Sequence, residues 1–199
     1  MAKKLLQIFA KAPVIGNVKT RLIRDIGAQA ACDVYLELLN KTLGLVEGSE
    51  FKVELWCAPD DNHEFFQQCV NKYDVELRNQ CGGDLGERMQ YALSAGLNQY
   101  SNVVLIGADC PVFSMTYLMS AFETLSSVDV VFGPAEDGGF VLVGCRKAPS
   151  NLFNDMTWSG TDVLAEALRL TDNLGLSSHR LATLWDVDVI DDLKRWRVS

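Results

Sequence analysis

The chain has 199 residues, of which 48% are hydrophobic and 22% charged, and its formal net charge is −8. These values are typical of one compact globular domain, which we expect over residues 1–199, and they exclude collagen, coiled-coil and disordered classes. The excess of 26 acidic over 18 basic side chains argues against nucleic acid as a partner.

Short apolar runs alternate along the chain with segments of helical periodicity. The predicted strands are Lys4–Ala10, Phe51–Ala58, Val75–Arg78, Val103–Ile106, Val128–Phe132, Phe140–Cys145 and Arg180–Leu184. The predicted helices are Ala28–Val46, Asn62–Val70, Asp84–Leu97, Ser114–Leu125, Thr161–Leu170 and a last helix after Ile190. This alternation predicts an α/β fold with a largely parallel sheet. The sixth strand follows the fifth too closely for a helical crossover, so we expect it to run antiparallel or to leave the sheet order.

The cellular compartment can be inferred from apolar runs and cysteines. No run approaches the roughly 20 residues that span a bilayer, and the N-terminal segment lacks a long signal-peptide core, so we expect a cytoplasmic protein without a membrane span. The six cysteines include no CxxC pair, and the chain has only two histidines. A structural zinc site is therefore not expected, and the cysteines suit a reducing compartment as free thiols.

Basic side chains are concentrated near the start of the chain. Residues 1–30 hold six basic residues and one acidic residue, whereas the other residues hold 12 basic and 25 acidic ones. This distribution predicts a focused anion site. In KAPVIGNVKTRL, which follows the first strand, Gly16 frees backbone amides, and Lys19 and Arg21 supply cations for phosphate oxygens. The alternative is that both cations face solvent. The spacing of a P-loop or of GxGxxG is absent, which argues against an ATPase and a classical dehydrogenase.

Acidic residues follow two other strands. Asp109 ends the fourth strand, where crevice ligands collect in open α/β sheets, so it could hold Mg²⁺ or Mn²⁺ together with substrate phosphates. The alternative is that Asp109 caps the helix near Ser114, although Ser114 is the better cap. Asp186 and Asp188 could each provide a second carboxylate.

Five motifs occur in a fixed order: KTRL, GGDLGERM, DCP, EDGGF and DVDVIDDL. In this order the chain, from residue 9 to residue 193, resembles a bacterial family of predicted nucleotide-diphospho-sugar transferases (DUF2064-like). This family is related in fold to phospholactate and molybdenum-cofactor guanylyltransferases. The resemblance implies a single-domain GT-A-like, Rossmann-related fold, in which a mixed, mostly parallel sheet has helices on both faces.

The resemblance also implies roles for individual residues. Lys19 and Arg21 match a phosphate-binding loop, and Asp109 and Asp188 match the metal-binding carboxylates. The residues placed where relatives hold the base and ribose are Gly82, Gly83, Asp84 and Arg88. The residues expected near the sugar or acceptor are Asp137, Gly138, Gly139, Trp158 and Ser159.

Two departures from the family pattern concern the metal. Related glycosyltransferases show a DxD pair, whereas Asp109 is followed by Cys110 and Pro111. In the tail motif, Val189 and Ile190 replace Thr and Pro. The first of these changes weakens the implied metal dependence.

Three functions follow as hypotheses. The first is a transferase that moves the glycosyl group of a nucleotide-activated sugar to a small-molecule acceptor with Mg²⁺ or Mn²⁺, in which Asp137 deprotonates the acceptor hydroxyl or binds a sugar hydroxyl. The second is a nucleotidyltransferase that joins an NTP to a phosphorylated acceptor and releases pyrophosphate. The third is a nucleotide-binding protein without catalysis.

Overall fold

The structure is a computed structural model that describes residues 3–147, 151–153, 156–158 and 160–199. Across these residues one sheet has seven strands in the order β3-β2-β1-β4-β6-β5-β7. The strands are β1 Lys4–Lys11, β2 Lys52–Ala58, β3 Glu76–Asn79, β4 Asn102–Gly107, β5 Val130–Pro134, β6 Phe140–Cys145 and β7 Ser178–Arg180. The predicted α/β class with a mixed, mostly parallel sheet is confirmed.

The helices connect these strands and begin at side-chain caps in three cases. They are α1 Ile23–Ile26, α2 Ala28–Val46, α3 Glu64–Tyr73, α4 Leu85–Leu97, α5 Met115–Thr124, α6 Val163–Asn173 and α7 Ile190–Arg197, and a 3₁₀ turn covers Thr20–Leu22. The side chains of His63, Asp84 and Ser114 accept hydrogen bonds from the free amides at the starts of α3, α4 and α5. Such caps fix where each helix begins and hence where each strand-to-helix loop ends.

Helices cover both faces of the sheet, as the fold resemblance implied. On one face, alternate β1 residues such as Leu6 and Ile8 pack with apolar side chains of α2, α3 and α5. On the opposite face, Leu5 and Leu105 pack with side chains of α4 and α6. The period of two along each strand places neighbouring residues on opposite faces, so both cores draw on the same strands. A third apolar cluster joins α7 to α1 and α2.

Strand β6 lies inside the sheet and runs antiparallel to both of its neighbours, β4 and β5. The expectation that this strand runs antiparallel is confirmed. The remaining pairs, β1–β2, β1–β4, β2–β3 and β5–β7, are parallel. Because β5 and β6 form a hairpin, the turn between them lies at the edge of the sheet where the parallel strands have their carboxyl ends.

The last predicted strand, over residues 180–184, is wrong in position. Strand β7 covers Ser178–Arg180 because the adjoining Ser177 is bonded to Asp129 and thereby sets the register of β7 on β5. The chain then leaves the strand and forms one isolated bridge between Leu184 and Ala135. Smaller shifts occur at helix ends: His63 replaces Asn62 as the cap of α3, and α6 begins at Val163.

None of the described helices is long and apolar enough to cross a membrane. All six cysteines lie in the described part of the chain and are free; Cys81 is exposed, and the others are buried.

Candidate functional site

A cleft of about 970 Å³ opens at the carboxyl ends of the parallel strands. Its walls come from the segment after β1, the start of α4, the end of β4, the β5–β6 turn and the segment before α7. These are the strand ends at which ligands bind in open α/β sheets. Ten of the residues predicted for the site line this cleft: Lys19, Arg21, Gly83, Asp84, Arg88, Asp109, Asp137, Gly139, Trp158 and Asp188.

Lys19 lies at the centre of the charged part of the cleft. Its Nζ is 3.1 Å from Asp109 Oδ2 and 3.1 Å from Asp188 Oδ1. The side chain is only 5% exposed, so the interpretation of Lys19 as a solvent-facing charge is wrong. Its backbone has a φ of 45°, a left-handed conformation that is uncommon outside glycine and is often found at functional sites.

Arg21 continues the basic segment toward solvent. Its Nη1 is 2.8 Å from Asp188 Oδ2, and its side chain is 71% exposed. The solvent-facing interpretation therefore describes the exposure of Arg21 but misses its ion pair. Lys19 and Arg21 thus belong to one hydrogen-bonded network, because both contact Asp188.

Three carboxylates meet beside Lys19. Asp109, Asp186 and Asp188 each offer an oxygen atom, and these atoms lie within 4.8 Å of one another. The Val187 N–H donates to the Asp109 carbonyl oxygen at 3.0 Å, which fastens the segment before α7 to the end of β4. The alternative role of Asp109 as a helix cap is wrong, because Ser114 accepts the hydrogen bond at the start of α5.

The charges in this cluster shift one another's pKa. Burial by itself would raise the pKa of Asp109, but the charge and hydrogen bond of Lys19 hold it below its usual range. Burial, and then the charges of Asp109, Asp188 and Asp137, raise the pKa of Asp186 to about 7. Burial would lower the pKa of Lys19, yet its two carboxylate partners raise it, so the ammonium stays protonated.

The segment that carries Asp186 and Asp188 is held at both ends. At its start, Trp185 lies under the Arg195 guanidinium at 4.2 Å, and Arg195 forms two hydrogen bonds with Glu136 at 2.7 and 3.1 Å. At its end, Asp192 accepts hydrogen bonds from the amides of Asp188 and Val189. These contacts position the segment of Asp186 and Asp188 and do not involve the carboxylates of these two residues.

The GGDLGERM segment forms the opposite wall, but several of its side chains already have local partners. Asp84 accepts a hydrogen bond from Glu87 N, and Glu87 reaches back to Gly83 N at 2.7 Å. Arg88 Nε donates to the Gly82 carbonyl oxygen at 3.0 Å. Gly82 itself supports the loop with a φ of 141°, and a Cβ there would collide with Glu87.

The β5–β6 turn provides the third wall. Asp137 is exposed, and its Oδ1 accepts a hydrogen bond from Gly139 N at 2.9 Å. Gly138 is required by packing, since a Cβ there would lie 2.0 Å from the Thr161 carbonyl oxygen. Trp158 lines the cleft beside this turn, whereas Ser159 lies outside the described residues. Gly16 is exposed and, like Gly82 and Gly138, does not line the cleft.

Sequence reasoning missed some lining residues. Phe140 is the last residue of EDGGF and the first residue of a predicted strand. That position beside the Asp137 turn could have indicated that Phe140 lines the cleft. Lys11 and Gln80 also line the cleft. Gln80 donates to the carbonyl oxygens of Ala10 and Trp56, a contact between distant segments that no local pattern shows. Asp186 was one of two alternatives for a second carboxylate, and the structure brings both to Asp109.

A family model for an uncharacterized protein conserved in bacteria, DUF2064, matches residues 42–160. The chain belongs to this family. Comparison with curated proteins finds no match.

Three solved structures place this family member among known folds. A protein of Desulfovibrio desulfuricans G20, provisionally assigned as a nucleotide-diphospho-sugar transferase, is 28% identical with a TM-score of 0.88, over 97% of this chain and 85% of that one. A cytidylyltransferase of Leptospira borgpetersenii is 13% identical with a TM-score of 0.65, over 97% and 84%. Rv0371C of Mycobacterium tuberculosis, in complex with manganese, is 18% identical with a TM-score of 0.54, over the full length of both chains. At these identities the latter two show a shared fold.

Proposed function

We propose that this DUF2064 protein, as one domain over residues 1–199, is a metal-dependent transferase. It binds a nucleotide-activated sugar in the cleft and transfers the glycosyl group to a small-molecule acceptor. The observation that carries the proposal is the meeting of Lys19 and Arg21 with three carboxylates at the carboxyl ends of the strands. The provisional assignment of the Desulfovibrio relative supports the same class of reaction. The free thiols suit the cytoplasm as its compartment.

The residues present fit a divalent cation. Hard cations such as Mg²⁺ and Mn²⁺ prefer oxygen ligands, and Mg²⁺ commonly uses one or two carboxylates together with substrate phosphates. Asp109, Asp186 and Asp188 supply such oxygens within 4.8 Å of one another. Lys19 holds its positive charge between two of them, Asp109 and Asp188. When bound, the metal would neutralise charge on the leaving diphosphate.

The chain's own cations bind the phosphates. Charge-assisted hydrogen bonds from Lys19 and Arg21 would orient the diphosphate and stabilise the negative charge that develops as it leaves. Gly83 and Arg88, which line the opposite wall, would contact the base and ribose. Asp137, on the β5–β6 turn, would take the proton from the acceptor hydroxyl or bind a sugar hydroxyl.

Nucleotidyl transfer is the second candidate. Lys11, Lys19 and Arg21 line the cleft together, and a triphosphate needs more positive charge than a diphosphate. The Leptospira cytidylyltransferase shares the fold. In this case an NTP would react with a phosphorylated acceptor and release pyrophosphate. A non-catalytic nucleotide-binding protein would bind the same ligands without turnover.

The Asp109→Asn variant tests the metal role. Asn keeps the size of the side chain but removes the charge that a hard cation needs, and Lys19 keeps its second partner, Asp188. We expect the variant to melt within a few degrees of the wild type and to lose Mn²⁺-dependent nucleotide binding in calorimetric titrations. The matched control is Asp191→Asn, an exposed carboxylate in the first turn of α7. Full Mn²⁺-dependent binding by Asp109→Asn would refute the metal role.

A product assay separates the candidate reactions. UDP-, GDP-, CMP- and dTDP-linked sugars and the free NTPs are first screened by thermal shift with and without Mn²⁺, since a ligand that binds the folded state raises the melting temperature. Release of the nucleoside diphosphate from a stabilising UDP-, GDP- or dTDP-linked sugar, or of CMP from a CMP-linked sugar, supports glycosyl transfer. Release of pyrophosphate from an NTP selects nucleotidyl transfer, and binding without either product selects the non-catalytic alternative.

A further inference from the structure

The cleft has a second part whose chemistry differs from that of the charged cluster. Phe140, Trp158 and Val163 are all half-buried and line the cleft beside the β5–β6 turn, and we call them the aromatic wall. Behind the wall the cleft floor is formed by apolar side chains such as Leu105 and Val143, which belong to the core under α4 and α6. An apolar, partly open surface inside a polar cleft is a typical binding surface for the body of a small molecule.

The wall is rigid. The rings of Phe140 and Trp158 meet edge to face with centroids 6.3 Å apart, and Phe153 packs against both of them. Trp158 also lies so close to α4 that a Cβ on Gly86 would come within 2.8 Å of its ring. Aromatic side chains held in this way present a flat surface with little loss of conformational freedom on binding.

The described basic residues that line the cleft come from two segments, and neither of them is the segment that carries the aromatic wall. The basic residues that line it are Lys11, Lys19, Arg21 and Arg88, from the start of the chain and from α4. The described lining residues between 135 and 163 include no Lys, Arg or His. The residues of this region that lie outside the description include none either. A phosphate or carboxylate on a ligand at the wall would meet no opposite charge from the segment that carries the wall and would face Asp137.

We propose that the aromatic wall binds the acceptor, and that the acceptor is an uncharged hydroxyl compound with an apolar, planar body. This proposal rests on the proposed glycosyl transfer and names its acceptor class. The body packs on Phe140 and Trp158, and the hydroxyl points toward Asp137. In the transfer, the bond between the anomeric carbon and the diphosphate oxygen breaks, and a bond from that carbon to the acceptor oxygen forms. The hydroxyl proton passes to Asp137, and the nucleoside diphosphate leaves with the bonding electron pair.

The test uses a matched pair of probes, 2-naphthol and 2-naphthyl phosphate, titrated calorimetrically into the full chain with and without Mn²⁺ and UDP or GDP. We expect 2-naphthol to bind at least tenfold more tightly than its phosphate ester. We expect Phe140→Leu and Trp158→Leu to weaken 2-naphthol binding about fivefold while Mn²⁺–nucleotide affinity stays within twofold. The control is Tyr91→Leu, which removes an exposed aromatic ring outside this cleft and is expected to change neither affinity.

Three results would overturn the proposal. Tighter binding of the phosphate ester would show that the acceptor side accepts an anion, as the nucleotidyl alternative requires. Loss of nucleotide affinity in Phe140→Leu, with 2-naphthol binding intact, would show that the wall holds the nucleobase. An equal loss of 2-naphthol binding in Tyr91→Leu would show that the probe binds elsewhere. Failure of the proposed function has a different signature, because the product assay would then detect no glycosyl transfer from any nucleotide sugar, whichever of the two probes binds.

Discussion

Lys19 combines three features that rarely occur together in a loop lysine: a left-handed backbone, a buried side chain and two carboxylate partners. The left-handed backbone and the burial each cost free energy, and the two carboxylate partners offset the cost of burying the ammonium. Its ammonium lies between two carboxylates that would also hold a divalent cation. In the proposed metal site, a divalent cation and Lys19 would compete for Asp109 and Asp188, and a phosphate group that attracts Lys19 would relieve this competition.

This competition gives a prediction for Lys19→Met, which keeps the apolar stem and removes the charge. We expect Mn²⁺ alone to bind several-fold more tightly than to the wild type, because the competing ammonium is gone. We expect nucleoside diphosphate binding to weaken by about 1.5–3 kcal/mol, the range for a hydrogen bond to a charged group. Manganese electron paramagnetic resonance and calorimetry measure the two affinities.

The control for this prediction is Lys194→Met, which removes an exposed lysine of α7. Unchanged Mn²⁺ affinity in Lys19→Met would show that the ammonium orients the carboxylates without competing for them.

At the scale of elements, the β5–β6 hairpin connects the sheet to α6. The Gly138 carbonyl accepts a hydrogen bond from Leu164 N, and its amide donates to the Ala135 carbonyl oxygen. Its φ of 91° and the closeness of Thr161 leave no room for a side chain. The turn that carries Asp137 and the start of α6 are thus fixed to each other through one glycine.

We predict that Gly138→Ala destabilises the fold by about 2–4 kcal/mol, because the new Cβ must displace backbone as well as adopt a strained conformation. Gly175→Ala is the matched comparison, since Gly175 also has a positive φ but open space around it. We expect that variant to cost only about 1–2 kcal/mol, the price of the left-handed conformation. Urea unfolding of both variants measures the difference, and equal losses would contradict the packing explanation.

The elements show which parts of the structure sequence patterns predict. Helix α2 and strand β6 have the predicted bounds, because α2 has a long apolar stripe of helical period and β6 is a compact, almost continuously buried run. Strand β7 is short and polar, and its position depends on Asp129, almost 50 residues earlier. The position of Asp109 in the cleft could be predicted, because ligands bind at the carboxyl ends of the strands in parallel sheets. The contact of Lys19 with Asp109, 90 residues apart, needs the whole fold and has no local signal.

At the scale of the whole molecule, Asp129 joins the three strands at one end of the sheet. Its Oδ1 accepts hydrogen bonds from Arg146, just after β6, and its Oδ2 accepts them from Ser177, just before β7. The carboxylate is only 10% exposed, and Lys147 lies 2.9 Å away. The hydrogen bonds from Lys147, Ser177 and Arg146 hold the pKa of Asp129 well below its usual range.

This low pKa predicts a pH-dependent stability. A carboxyl group whose pKa is lower in the folded state stabilises the fold above its unfolded pKa, about 3.9, and this contribution is lost as the pH falls toward the folded pKa. We expect Asp129→Asn to lower the free energy of unfolding at pH 7 by about 1.5–3 kcal/mol. The difference in the free energy of unfolding between this variant and the wild type should decrease as the pH falls from 5 to 3.

Urea unfolding at several pH values measures this difference. The control is Asp33→Asn, an exposed carboxylate on α2. If the difference in unfolding free energy stays constant between pH 7 and pH 3, Asp129 stabilises the fold through packing and not through its charge.

The charged cluster also has a consequence for biosynthesis. Lys19 and Asp188 are separated by 169 residues, so at about 5–20 residues per second a ribosome needs about 10–30 s to make the second after the first. The nascent chain carries the lysine through most of its synthesis without this carboxylate. The charged cluster is therefore among the last parts of the molecule that can be completed, and a chain released before residue 186 lacks two of its three carboxylates.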